Sequence, residues 1–150
     1  MDEIDKSILK IIVNDARIQL SQLSKRINLS LPATSERLRK LERSGYIKSY
    51  ATILNPDKSD KRFTCFCLIR LGEHSTSSAR SFTDFVRDYD EILECHHVTG
   101  EYNYLLKIVA KSSKDIDDLI KVMQAKLNVS NTDTIVVLNT VKLNVSSLPE

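Results

Sequence analysis

Apolar and polar positions divide the chain into two stretches of different rhythm. Ile4, Ile8, Ile11 and Ile12 recur at helical spacing and predict a helix over residues 2–14. Asp2 suits its cap, and acids in the first turn favour the helix dipole. Residues 15–20 read as a loop. Ser21 is the expected cap of a short second helix, with Leu23 and Ile27 four apart on its buried side. Asn28 suits the end of that helix, because Asn tolerates the left-handed conformation. Ser30 then caps a third helix, with Pro32 in its first turn, where a missing N–H costs nothing. Leu31, Thr34, Leu38 and Leu41 form its expected inward stripe, and Gly45 ends it. "YIKSYATIL" alternates loosely and reads as extended chain. Two short helices across a tight turn, packed on a first helix, make a helix-turn-helix.

The rhythm changes after "NPDKSDKR", a polar stretch with Pro56 and no periodicity, which reads as a linker. "RFTCFCLIRL" (62–71) is strand-like. Serines 75, 77 and 78 precede a helix with Phe82, Phe85, Val86 and Tyr89 on one face. "ILECHHVT" (92–99) and "YNYLLKIVA" (102–110) are strands around Gly100-Glu101. Ser112 and Asp115 resemble a capping box, ahead of a helix bearing Ile116, Leu119, Ile120 and Met123. "TDTIVVLNTVKL" (132–143) is the last strand. The order β-α-β-β-α-β is that of a ferredoxin-like unit. The expected fold class is therefore α+β: a helix-turn-helix, winged-helix-like domain at residues 1–54, a linker at 55–60, a βαββαβ domain at 61–145 and a tail at 146–150.

The strands carry apolar residues on both faces. Phe63, Cys65, Cys67, Ile69 and Leu71 face one way, Phe66 and Leu68 the other; Ile135, Val137 and Val141 alternate with Val136 and Leu138. Two helices cover only one face of a four-stranded sheet, so something must cover the other. A second copy is the simplest cover, since two-fold contacts are self-complementary, and a homodimer is expected.

Charge sharpens the picture. The chain has 22 Lys/Arg and 20 Asp/Glu, but residues 1–50 hold ten basic against six acidic residues. A basic first third suggests a region facing a polyanion. Within it, "NLSLPATSERLRKLERSGYI" (28–47) crowds Arg37, Arg39, Lys40 and Arg43 onto one helix. Glu36 and Glu42 offer Lys40 and Arg39 local pairs of a few tenths of a kcal/mol, so a merely solvated face is the plain alternative. The helix starts with small residues and ends with long cations, which fits a recognition helix in the major groove of double-stranded DNA. The expected contacts are Ser30, Ala33, Thr34, Ser35, Arg37, Arg39, Lys40, Arg43 and, just beyond, Lys48. Arg37 is expected to read guanine and a Thr methyl to touch thymine, while the later cations reach phosphate.

Residues 15–56, with "DAR", "LS" and then S-x-x-x-x-x-x-R-x-x-x-L-E-x-x-G-x-I, resemble the DNA-binding half of the Lrp/AsnC (feast/famine) regulators. "VTGEYNYLLKI" and "TDTIVVL" resemble the effector-binding half. The resemblance implies transcription regulation, dimers often assembled into octamers that bend DNA, and an effector, usually an amino acid, held between dimers. It also implies an effector site at Gly100, Tyr102, Asn103, Tyr104, Thr132 and Thr134. Two positions depart from the pattern. Leu31 stands where Pro commonly follows the cap Ser. Asn103 replaces the Asp of G-x-x-D-x-x-L, so a carboxylate for an ammonium group is lost. A free amino acid then binds more weakly, or the effector differs, or there is none.

Other chemistries find less support. No metal site and no cofactor is expected: Cys95, His96 and His97 are consecutive, and in a regular strand neighbours point to opposite faces. His74 stands alone. Cys65, Cys67 and Cys95 are an odd set without a C-x-x-C and read as small hydrophobes in a reducing compartment. The acidic, amphipathic N-terminus is no signal peptide, and no apolar run reaches membrane-spanning length; the expected location is cytoplasmic, with no membrane partner. The competing class is enzymatic, since sirohaem decarboxylases resemble the same two-unit architecture, but a capped cationic helix has no use there.

Overall fold

The computed structural model describes residues 1–55, 58, 60, 63–72, 75–144 and 146; Pro56 of the expected linker and His74 lie outside them. Met1–Ile53 form one compact unit, with which the stretch from Lys142 clusters, and Leu54–Val141 form a second.

The first unit holds three helices, α1 (Glu3–Asn14), α2 (Leu20–Arg26) and α3 (Leu31–Arg43). Asp2 caps α1 in a reciprocal box with Asp5. Ile8, Leu9, Ile12, Leu23 and Leu41 make the core, with Leu38, Ile27 and Ile47 packed against it. Helix α2 starts earlier than expected: Gln19 occupies the cap position without a side-chain bond, and Ser21 lies inside the helix. Leu20 is half-buried, and a helix that includes it keeps Leu20 and Leu23, three apart, on neighbouring positions of one face. Asn28 takes φ 54°, and Gly45 takes φ 78° where α3 ends. Leu31 is 48% exposed rather than inward. It is the first residue of α3, and its side chain leans past the helix end, where no earlier turn shelters it. Residues 47–55 carry no regular element.

The second unit runs β1 (Phe63–Leu71), α4 (Thr76–Arg87), β2 (Ile92–His97), β3 (Tyr104–Ala110), α5 (Ser113–Lys126) and β4 (Val129–Val136). The sheet order is β2-β3-β1-β4, and all three pairings are antiparallel. Ser75 caps α4, so Ser77 and Ser78 lie within it. Tyr89 lies past its end yet stacks on Phe85 at 4.3 Å. Ser112 and Asp115 close a full capping box on α5. Cys65, Cys67, Ile69, Leu106, Ile108, Phe82 and Met123 are fully buried between sheet and helices. Burial also pushes the thiols up, Cys65 to about 11, and Cys67 and Cys95 in the same direction.

The last strand is shorter than its sequence pattern. β4 pairs only with β1, Cys65 standing opposite Val136, and the Val137 N–H closes on Thr64 O. Residues 138–143 continue without a ladder. Leu138 and Val141 are 97% and 93% exposed.

Register assigns the helix-free face. Phe66 stands beside Ile135 and Lys107, Leu68 beside Leu105 and Asp133, and Thr64 beside Val109. On β2, Glu94 and His96 share this face with Lys107 and Leu105; Glu94 accepts from Lys107 at 2.8 Å and lies 3.2 Å from His96 Nε2. His97 turns the other way and tilts against Tyr104 at 5.3 Å. Among the described residues no group of His, Cys, Asp and Glu is placed to hold a metal ion, and no helix is long and apolar enough to cross a membrane.

Candidate nucleic-acid interface and effector region

Helix α3 is positioned by its start, its inner face and its stop. The Ser30 hydroxyl accepts from the Ala33 N–H at 3.4 Å, and Pro32 follows in the first turn. Thr34 and Leu41 are buried and Leu38 half-buried on the inner side. Ile47 N–H reaches Leu41 O across the glycine turn. What is left for solvent is a strip with Arg39, Lys40 and Arg43 exposed, Ala33 and Ser35 half-buried, and Lys48 exposed beyond the turn.

Two of the nine expected DNA contacts sit elsewhere. Thr34 has no exposed surface, and its hydroxyl donates to Ser30 O at 2.9 Å. A methyl sealed in the core cannot meet thymine. Arg37 is turned away from the strip. Its Nη1 bonds Asp2 Oδ2 at 2.7 Å and Asp5 Oδ1 at 2.8 Å, and Asp5 is itself buried. The carboxylates at the start of α1 claim this guanidinium, which removes it from base reading in this arrangement. The Asp5 N–H and then Arg37 hold the Asp2 carboxyl below its ordinary range, and Arg37 is raised in turn.

The expected helix-surface pairs are also exchanged. Arg43, not Lys40, meets Glu36, at 2.7 Å, and both are more than half exposed. Such a pair adds little stability and leaves Arg43 free to trade Glu36 for phosphate. Glu42 accepts from the Tyr50 hydroxyl at 2.8 Å. Partial burial, with that bond behind it, pushes the Tyr50 phenol up to about 12 and fixes the chain leaving α3.

The six expected effector residues lie at the Gly100 turn, at the start of β3 and on β4, and by register Tyr104, Thr132 and Thr134 share the helix-covered face. Gly100 takes φ 112°, and a Cβ there would meet nothing within 4 Å. Its constraint is torsional, since the backbone there favours glycine and the space is open. Tyr102 is half-buried. Asn103 is tied to β1: its N–H donates to Ile69 O, and its Oδ1 accepts from the Leu71 N–H, each at 2.8 Å. Tyr104 is core, stacked on Phe82 at 4.5 Å and only 7% exposed. Thr132 stands across Ile69 from Tyr104. The Thr134 hydroxyl lies 3.4 Å from Cys67 Sγ. A cleft of about 390 Å³ opens at Ile108, Ala110 and Leu119 against α5, and none of the six lines it.

Asn103 therefore has a structural duty. Replacing Asn103 with Ala leaves the Leu71 N–H without its acceptor and should cost about 1–3 kcal/mol, read as a lower urea midpoint of the second unit. A midpoint unchanged from wild type would show that the bond contributes nothing.

Comparison with known proteins follows the same division. Residues 64–146 match the family model for the Lrp/AsnC ligand binding domain, and residues 1–48 match that for winged helix-turn-helix DNA-binding domains. The chain belongs to the Lrp/AsnC family. It is a DNA-binding transcription regulator with an N-terminal helix-turn-helix and a C-terminal βαββαβ domain. Among Lrp/AsnC relatives, it is 36% identical over 143 residues to the leucine-responsive regulatory protein of Klebsiella pneumoniae, covering 95% of this chain and 87% of that protein. It is 34% identical over 146 residues to the proline dehydrogenase transcriptional activator of Rhizobium radiobacter, covering 95% and 92%. A solved Lrp/AsnC-like structure, the Neisseria meningitidis transcriptional regulator in complex with L-Met, superposes with a TM-score of 0.92 at 25% identity, covering 98% of this chain and 96% of that one.

Sequence reasoning missed the acidic partners of Arg37. Asp2 and Asp5 stand out only as helix-starting acids, and nothing local to Arg37 marks carboxylates 35 and 32 residues away as its partners. Asn103 shows the same limit, since its acceptor role depends on strand register.

Proposed function

We propose that two copies of this chain, joined through the helix-free faces of their sheets, hold two α3 helices to one DNA duplex, and that a small effector of the amino-acid class biases the assembly. The observation that carries the DNA reading is the strip of exposed cations, Arg39, Lys40, Arg43 and Lys48, on and beside a capped helix with a small-residue start. Ser30, Ala33 and Ser35 approach base edges; the cations meet phosphate on the groove walls. The apolar centre of the helix-free face, Phe66, Leu68, Leu105, Val109 and Ile135, supports a second copy as its cover. Octamers and DNA bending extend this reading, as does a cytoplasmic location. The chain acts by binding and not by catalysis, since cations on α3 serve no tetrapyrrole decarboxylation.

The test is selection of bound duplexes from random sequence, followed by affinity against salt. Replacing Arg43 with Ala should weaken binding to all sequences alike and flatten the slope of log affinity against log salt by roughly 0.9. An unaltered slope would remove Arg43 from the phosphate contacts.

For the effector, relatives named for leucine response or solved with methionine support an amino acid. Gly100, Tyr102, Thr132 and Thr134 are its proposed neighbours, with Asn103 and Tyr104 as the scaffold that holds the hairpin. A thermal-shift screen of the twenty amino acids tests this. A raised melting temperature with one or more supports the class, and silence across the set removes it.

A further inference from the structure

Arg37, the one cation of α3 withdrawn into its own unit among Arg37, Arg39, Lys40 and Arg43, has a geometry of its own. One nitrogen, Nη1, bridges two carboxylates. Each carboxylate spends its other oxygen on the start of α1: Asp2 Oδ1 accepts from the Asp5 N–H at 2.9 Å, and Asp5 Oδ2 from the Asp2 N–H at 3.2 Å. All four carboxylate oxygens are thus engaged in one closed set. Two backbone donors come from the first turn of α1, and the third donor is the middle of α3. The side chain of Asp5 is 7% exposed, that of Arg37 31% and that of Asp2 52%, so the set runs from core to surface.

The geometry points to Arg37 as a positioning residue for DNA binding, fixing the angle at which α3 stands on α1 without touching the duplex itself. The inference rests on the reading of α3 as the DNA-contacting helix and adds a residue to it. An apolar contact alone, such as Leu41 against Ile8 and Leu23, allows a helix to rock. Charge-assisted, directional bonds to two carboxylates, each itself held by a backbone N–H at the start of α1, do not. The rest of α3 then presents Ala33, Ser35 and the exposed cations at one fixed tilt, and a small misplacement of such a surface is felt in every contact at once.

The position makes two opposite sets of results available. For a positioning residue, Asp5→Asn takes the charge from the buried arm of the bridge, and Arg37→Ala removes both arms. Each should lower affinity for a duplex selected by the wild-type chain, by roughly tenfold if the clamp is worth one ordinary charged hydrogen bond. The double variant should be no weaker than Arg37→Ala alone, because coupled partners are not additive. The salt slope of all three should equal that of wild type, and the ratio of affinities for selected over scrambled duplex should fall. Arg37→Lys, which keeps the charge and a donor, should recover part of the loss. All are measured with the full chain at a temperature well below the melting point of each variant, determined by circular dichroism, so that unfolding does not enter.

A direct contact gives the reverse. Asp5→Asn would then release Arg37 toward the duplex and tighten binding, and Arg37→Ala would flatten the salt slope by roughly 0.9. Either result overturns the clamp and leaves DNA binding by α3 standing. Loss of melting temperature with affinity, slope and ratio unchanged also overturns it, because the bond would then serve stability alone. Failure of the wild-type chain to enrich any duplex sinks the reading of α3 itself, and the positioning role with it.

Discussion

A chain with Phe66 replaced by lysine is expected to elute as a monomer and to bind its selected duplex weaker by a factor on the order of 10². Phe66 lies at the centre of the helix-free face, between Ile135 on β4 and Lys107 on β3, with Leu68 and Leu105 next along. In a two-fold sheet-on-sheet contact the substitution buries two ammonium groups among apolar side chains, each beside the like charge of Lys107. An isolated buried charge is costly enough to exclude the packed state. The drop in DNA binding follows without any change to α3. Two recognition helices on one body make the second binding step intramolecular, and separating them removes that advantage. Light scattering on the eluting peak reads the first effect, and titration of the duplex reads the second. A dimer surviving this substitution would move the contact to another surface. Monomers that bind as tightly as wild type would detach dimerisation from DNA binding.

The largest effect on stability should come from Phe82→Ala, which is expected to destabilise the second unit by about 3–5 kcal/mol. Phe82 is fully buried and stacks on Tyr104, while Cys65, Cys67, Leu106 and Met123 complete the same core. Removing the ring leaves a void that neighbours on β1, β3 and α5 cannot fill together. Tyr104 starts β3 directly after Asn103, so the hairpin at Gly100 loses its anchor as well. Urea unfolding followed by circular dichroism should therefore show the second unit melting earlier. The first unit has its own core of Ile8, Leu9, Ile12, Leu23 and Leu41 and should keep its helices. A loss below about 1 kcal/mol would mean that the site collapses without a cavity.

How far these features were legible in the chain varies with range. Helix starts that rest on a nearby side chain were readable: Asp2, Ser30 and Ser112 all cap helices in the structure, whereas of the three serines expected ahead of α4 only Ser75 stays outside it. The second helix misled, because it begins at the half-buried Leu20 while Gln19 at the cap makes no side-chain bond. Alternation gave the faces of β1 but overran β4, since a periodic pattern does not reveal where pairing with a neighbour stops. The candidate DNA strip was legible where solvent decides, at Arg39, Lys40 and Arg43. It was illegible at Arg37 and Thr34, whose roles come from α1 and from the unit's interior. The expected effector residues stand together as a motif, but the local contacts of each could not be read from it. Asn103 and Tyr104 look like ligand contacts in a short motif and act as hydrogen-bond tie and core ring once Leu71 and Phe82 are placed beside them.

The sunken thiols have a practical corollary for watching this regulator at work. Cys65 and Cys67 are closed to solvent and Cys95 is half covered, and all three thiols are shifted away from the reactive thiolate form. Maleimide chemistry near neutral pH depends on that form, so the native sulfurs should react slowly. A cysteine introduced at Ser49, outside both the cationic strip and the clamp, would then take a fluorophore with little background. In the proposed dimer, the distance between two such dyes would report how far apart the two α3 helices stand, with and without candidate effectors, on an otherwise unmodified chain.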